Sequence, residues 1–310
     1  MQNSIAGLVC IIFIQFLSIS CAVYLLIHCI INKNLIQNLS NHLIICLLIV
    51  SIWTTCIDLV STEFYYWNGY VPIQTSSACY FYNVSYFLIT TLNRMFMAFM
   101  SIERHFLVFR PQFYRIRRLR YILHYFPILI LFIWSLIYSF VTNVFLTCSQ
   151  IHFRYTSFLC GYTCSILMSN LLMVFVWLEV FIPTIITIIA CVLLPIRFLI
   201  HKRKLQRLQW RRARRMIVQM STIASIYTFC WLPYTIILQL VTINIIPLSN
   251  YYISTYLIFD PYISSLLTPF ICFHTISERI KFNIIQRILH FYFPHRQPTV
   301  NPMKIPVRKT

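Results

Sequence analysis

The chain has 310 residues, 59% of them hydrophobic and only 10% charged, with a net charge of +19. A soluble domain carries about 25% charged residues, so this composition excludes an ordinary soluble enzyme or binding module and points to a protein that lives in a bilayer. The basic excess is not a nucleic-acid surface either, because it is confined to alternate loops.

Seven apolar runs, near 5–31, 43–66, 77–109, 121–147, 167–199, 216–243 and 251–273, are long enough to cross a hydrocarbon core about 30 Å thick. They predict an all-α bundle of seven transmembrane helices. The first run has no basic residue before it and is too long for a cleavable signal, so it is expected to stay as an anchor. Lys33 follows the first run, and Arg110, Arg115, Arg117, Arg118 and Arg120 follow the third. The stretch 201–215 holds eight basic residues after the fifth run, and a further group from Arg279 to Lys309 follows the seventh. Of the opposite loops, only 148–166 carries a basic residue, Arg154. Basic loops face the cytoplasm, which predicts a multi-pass membrane protein with its N-terminus outside and its C-terminus inside. The seven-helix membrane domain is expected over 1–292, with a short basic cytoplasmic tail over 293–310.

Twelve cysteines divide by side. Eight lie within apolar runs and read as small packing residues. Cys79, Cys148, Cys160 and Cys164 fall on the predicted outer face, where two disulfides are expected. Three pairings are open; the preferred one is Cys79–Cys164 with Cys148–Cys160, which ties the third helix to the loop before the fifth.

The stretch "MAFMSIERHFLVFRP" places Glu103, Arg104 and His105 near the end of the third run, with Arg104 following Cys79 by 25 residues. At 1.5 Å per residue this is about 37 Å, one full crossing. A cysteine opening the third of seven helices, with an acid–Arg–aromatic triplet one crossing later, resembles a rhodopsin-like (class A) G-protein-coupled receptor. Other landmarks agree: Trp134 in the fourth run, Pro183 in the fifth, Cys230, Trp231 and Pro233 of "CWLP" in the sixth, and Pro269 of "TPFIC" in the seventh. The apolar face Ile280, Ile284, Ile285, Ile288 and Leu289 suits an amphipathic eighth helix on the membrane. "SIERH" and "CGYTC" resemble forms found in expanded invertebrate orphan receptors. The resemblance implies that Arg104 is held by Glu103 at rest and meets a heterotrimeric G protein when the sixth helix moves outward.

The sequence also departs from the family pattern. Thr268 and Cys272 replace the usual asparagine and tyrosine of the seventh helix, Cys191 stands where the fifth usually has a tyrosine, and Arg212, Arg214 and Arg215 leave the sixth without an acid for Arg104. Ser51 is nearer than Asp58 to the family's second-helix aspartate position.

Arg94 lies 15 residues past Cys79, deep in hydrocarbon, where a charge costs about 2.5–3.5 kcal/mol on insertion scales. Glu179, at similar depth and one turn before Pro183, is its expected partner, with Tyr227 completing the cluster. Asp58, Glu63 and Asp260 lie in the outer halves or near the midplane, positioned for a cationic ligand or for neighbouring hydrogen bonds. Tyr82, Tyr86, Trp177, Trp231, Tyr234, Tyr256 and Tyr262 are candidate pocket residues. Tyr86 stands where amine receptors carry aspartate, and Tyr262 where opsins carry the retinal lysine, so neither type is favoured. The resemblance implies a ligand-activated, non-enzymatic receptor whose partners are a G protein, an extracellular ligand of unknown identity and membrane lipids. No cofactor or metal is expected, and no nucleic acid. The alternative is a transporter with Arg94, Glu179 and Asp58 along a polar path, against which stand the odd helix count, the lack of repeats and a total of three glycines.

Overall fold

In a bilayer the backbone must satisfy its own hydrogen bonds, which leaves helices as the economical solution for long apolar runs. The computed structural model describes residues 2–32, 39–114, 116–145, 153–161, 174, 176–201, 207–243, 245 and 259–273. Among them seven long helices follow the apolar runs. Helix α1 is Gln2–Ile31. Helix α2 runs through Leu39–Trp53, a π-helical turn Thr54–Asp58 and Leu59–Asn68. Helix α3 is Ser76–Phe109. After a 3₁₀ turn at Pro111–Tyr114, α4 comprises Arg117–Arg120, π turn Tyr121–Tyr125, Phe126–Phe140 and π turn Val141–Phe145. Helix α5 joins a π turn Val176–Phe181 to Ile182–His201, α6 is Arg207–Thr242, and α7 covers 259–273. Five of these, α1, α2, α4, α5 and α6, are long and apolar enough to cross a membrane by composition alone. Helix α3 is less apolar, but its 34 residues span about 51 Å.

Burial explains the difference. Helices α1 and α4 turn mostly exposed apolar side chains outward, among them Phe13, Phe16, Leu129 and Trp134, the face a lipid-bathed helix needs. Helix α3 packs against α2, α4, α5 and α6, so it tolerates the buried Asn83, Asn93, Arg94, Glu103 and Arg104. Buried hydroxyls in the bundle bond back one turn: Thr90 to Tyr86 O at 2.7 Å, Ser101 to Met97 O at 2.8 Å and Thr187 to Pro183 O at 2.8 Å. Such back-bonding removes the cost of a polar group in hydrocarbon.

Local signals set the helix ends. Helix α2 stops at Gly69, whose φ of 76° is the left-handed C-cap that glycine adopts without strain. Helix α3 starts at Thr75, whose side chain accepts from Ala78 N at 3.3 Å.

The disulfide pairing corrects the sequence expectation. Cys79 bonds Cys160, with Cα atoms 5.7 Å apart, so neither Cys79–Cys164 nor Cys148–Cys160 forms. The reason is local. Residues 157–161 make a tight turn with Leu159, Cys160 and Gly161 at positive φ. Arg154 N bonds Cys160 O at 2.9 Å, and Asn83 Nδ2 bonds Leu159 O at 2.8 Å. Together they hold Cys160 over the first turn of α3. Cys148, Cys164, the expected eighth helix and the 293–310 tail lie outside the described residues.

Peptide mapping without reduction should recover Cys79 linked to Cys160; a Cys79–Cys164 peptide would contradict the fold at this end. Replacing Cys79 with Ala should lower stability by about 2–5 kcal/mol, read as a lower thermal midpoint.

Candidate functional site

Polar residues on α3 form a chain along the bundle axis. At mid-height, Arg94 is buried (5% exposed), as is Glu179 (1% exposed). They meet, but not as the carboxylate–guanidinium pair expected from sequence. Arg94 Nε donates to the backbone carbonyl of Glu179 at 2.7 Å, and Arg94 also reaches the Thr91 hydroxyl at 3.4 Å. Its Cζ lies over the Trp231 ring, 4.8 Å from the centroid, a cation–π contact strengthened by exclusion of water. The Glu179 carboxylate turns to α4, where Trp134 Nε1 donates to it at 2.6 Å. A π turn makes this division possible: Val176–Phe181 contains Glu179, and a π turn frees carbonyls from regular helical pairing. Among the described residues, no ion pair within 4.0 Å joins Arg94 to Glu179.

Trp231 links this centre to α7. It is fully buried, donates from Nε1 to Ser264 Oγ at 3.0 Å, stacks on Tyr227 at 5.6 Å and meets Tyr234 edge-on at 5.2 Å. The Tyr227 hydroxyl is buried with no hydrogen-bond partner among the described residues. Pro233 sits within α6 two residues later, and Pro183 lies just past the π turn of α5. The carbonyl of Pro269 on α7 accepts from Cys21 on α1 at 3.4 Å. Ser51 occupies the place considered for an aspartate and donates to Ser265 O at 2.6 Å, while Asn93 reaches Ser265 Oγ at 3.4 Å. Neutral hydrogen bonds therefore tie α2, α3 and α7 together there.

At the end of α3 opposite the disulfide, the triplet spreads over its neighbours. Glu103 and Arg104 are each 1% exposed. Glu103 accepts from Nδ1 of the fully buried His124 on α4, and His124 Nε2 lies 2.9 Å from His42 Nδ1 on α2. The neutral tautomer that donates to Glu103 can accept from His42. His105 Nε2 lies 2.8 Å from Ala190 O on α5. Tyr114 is buried at this end: burial lifts its phenol above the ordinary range, the Glu103 charge acts in the same direction, and Arg104 opposes it. The sequence reading singled out neither His124, His42 nor Trp134 as a functional residue. For His124 and Trp134 the available signal was a polar or N–H-bearing side chain inside an apolar run, the same signal that marked Arg94, whereas His42 lies just before the second run.

At the disulfide end, Tyr82, Tyr86 and Tyr262 are buried, and Tyr86 meets Phe158 and Tyr262 edge-on at 5.9 and 6.4 Å. Thr62 and Tyr262 share a hydrogen bond of 2.8 Å. Trp177 lies apart, 41% exposed and packed on Phe181. Tyr256 is outside the described residues.

A helical membrane bundle, pinned by a disulfide at one end of α3 and carrying a buried acid–Arg pair at the other, is the architecture of a seven-helix receptor. The chain belongs to the 7 transmembrane receptor (rhodopsin family), whose model matches residues 6–272. No curated protein matches the sequence. Among the described residues no cluster of metal-ligating side chains occurs, and the family is non-enzymatic.

The contacts of Arg94 and Glu179 are unequal, so their replacements should be too. Arg94→Leu loses a charge-assisted hydrogen bond and the Trp231 contact, about 2–4 kcal/mol. Glu179→Gln keeps both the backbone carbonyl and an acceptor for Trp134, and should cost under about 1 kcal/mol. Equal losses in thermal midpoint would indicate a direct ion pair instead. His124→Leu should cost about 3–5 kcal/mol, because it leaves Glu103 buried without its partner. Adding Glu103→Leu should return part of that loss; a double variant no more stable than His124→Leu alone would contradict the pairing.

Proposed function

We propose that this chain is a plasma-membrane receptor, N-terminus outside, that passes the binding of an extracellular ligand to a heterotrimeric G protein. The observation that carries this reading is the burial of Arg104 beside Glu103 at the end of α3 opposite the disulfide. Family membership supports the general function, and the basic 110–120 and 201–215 loops support placing that end in the cytoplasm. "SIERH" and "CGYTC" favour kinship with expanded invertebrate receptors. Arg94 lies over Trp231 and Glu179 accepts from Trp134, partners inside the bundle that speak against a polar transport path.

The mechanism follows from which helix holds each charge. Glu103 is anchored to α4 through His124, so α3 and α4 stay together at the cytoplasmic end. Arg104 is shielded at rest. A ligand that repacks Trp231 disturbs its contacts with both Arg94 and Ser264, and so loosens α6 from α3 and α7. Outward movement of α6 then uncovers Arg104 for the G protein. The expected eighth helix and the basic tail would meet the acidic inner leaflet.

Nucleotide exchange on a panel of G proteins, with receptor in nanodiscs or in reporter cells challenged with peptides, lipids and metabolites, tests this reading. Wild-type receptor should accelerate exchange on at least one G protein, and Arg104→Ala should remove most of that acceleration at an unchanged surface level. Full exchange by Arg104→Ala would contradict the switch.

A further inference from the structure

The π turn Thr54–Asp58 of α2 ends on a buried carboxylate with one oxygen unused. Asp58 is 6% exposed, its Oδ1 accepts from Ser85 Oγ at 2.8 Å, and its Oδ2 has no hydrogen-bond partner among the described residues. Ser85 is itself engaged by Trp53 Nε1 at 2.8 Å, so the carboxylate is held in place from two helices. A π turn inserts one residue into the helical register and re-aims the side chains beside it, a feature common at functional sites. Here it accompanies an acid that faces α3 instead of lipid.

Asp58 lines a cavity of about 20 Å³ at the disulfide end, room for one group the size of a water molecule. Tyr65, Tyr82, Phe158 and Tyr262 contribute aromatic rings to its wall, and Val71 and Leu159 help to cap it. The caps are fixed by the Cys79–Cys160 bond, by Val71 N to Tyr155 O at 2.9 Å and by Asn83 to Leu159 O at 2.8 Å. Among the described residues, no Lys or Arg lines the cavity and no basic side chain lies within 4.0 Å of the Asp58 carboxylate. Glu63 and Asp260 are buried at the same end, but neither lines the cavity.

We propose that this cavity receives the ammonium group of a cationic extracellular ligand, with Asp58 as its counter-charge and the aromatic rings as its cage. An ammonium supplies both the donor and the charge that Asp58 Oδ2 lacks, and its alkyl carbons suit the ring faces. A hard inorganic cation instead needs a shell of oxygen ligands, and here the Thr62 and Tyr262 hydroxyls are bonded to each other. The carboxylate comes from α2 and meets α3 at Ser85, next to the Tyr86 position where an aspartate is lacking.

The inference rests on the receptor reading and is tested apart from it, by thermal midpoints of the purified full-length receptor in nanodiscs. The probes are n-butylammonium, phenethylammonium, neutral N-butylacetamide and matched NaCl. The two ammonium salts should raise the midpoint by mass action, while the amide and NaCl should not. Asp58→Asn, which keeps an acceptor for Ser85, should weaken the ammonium effect about tenfold or more in concentration, and Glu63→Gln should retain it. If Asp58→Asn does not fold, Phe158→Leu carries the test, with an expected weakening of about threefold or more. Absence of an ammonium shift in the wild type, its full retention in Asp58→Asn or Phe158→Leu, or an equal shift with NaCl would each overturn the assignment. Arg104→Ala should keep the ammonium shift. Arg104-dependent nucleotide exchange without any ammonium shift would defeat this inference alone, whereas a shift without any G-protein response would defeat the receptor reading and leave the cavity assignment standing.

Discussion

A charge placed in hydrocarbon must find its partners inside the protein, and this constraint organises the bundle around α3. Arg94, halfway along that helix, donates one hydrogen bond to an α5 carbonyl and lies over a ring from α6. Three helices are therefore fixed relative to one another by one guanidinium. Glu179, exempted from pairing with Arg94, is free to engage α4 through Trp134. The arrangement avoids a buried ion pair, whose desolvation can exceed its Coulombic gain, and uses softer partners that a modest displacement of Trp231 would disturb.

The same logic acts at the other end of α3 with a different outcome. The family pattern implies that the acid of the triplet restrains its arginine, yet Glu103 is committed to His124 on α4. Helix α6 begins with arginines and offers no acid in its place. Glu103 therefore joins α3 to α4, and Trp231 joins α6 to α3 and α7 through Arg94 and Ser264. Helix α4 becomes part of the static frame, joined to α3 by Glu103 and to α2 through the contact between His124 and His42.

The helices were legible because each apolar run is longer than a crossing requires, and the inward charges were legible because a charge in such a run is rare enough to stand out. Partners were harder to read. Arg94 and Glu179 were expected to pair because opposite charges at similar depth suggest it, but sequence carries no sign that the π turn at Val176–Phe181 exposes a backbone carbonyl. The disulfide failed for a similar reason: Cys164 was the preferred partner of Cys79, but the turn at 157–161, with three consecutive positive φ values, selects Cys160. His124 is an ordinary histidine by sequence, and only the approach of α4 to α3 makes it the partner of Glu103. Asp58 was noticed as an acid, whereas its orientation depends on a π turn that composition does not announce.

The central claim is that α3 and α4 move as one body while α6 leaves them. Spin labels introduced through an unnatural amino acid at Phe106 on α3, Ile122 on α4 and Val218 on α6, all exposed positions, would measure it in nanodiscs. On adding a nucleotide-free G protein, the account predicts a longer Phe106–Val218 distance and an unchanged Phe106–Ile122 distance. Separation of Phe106 from Ile122, or a fixed Phe106–Val218 distance while nucleotide exchange proceeds, would contradict it.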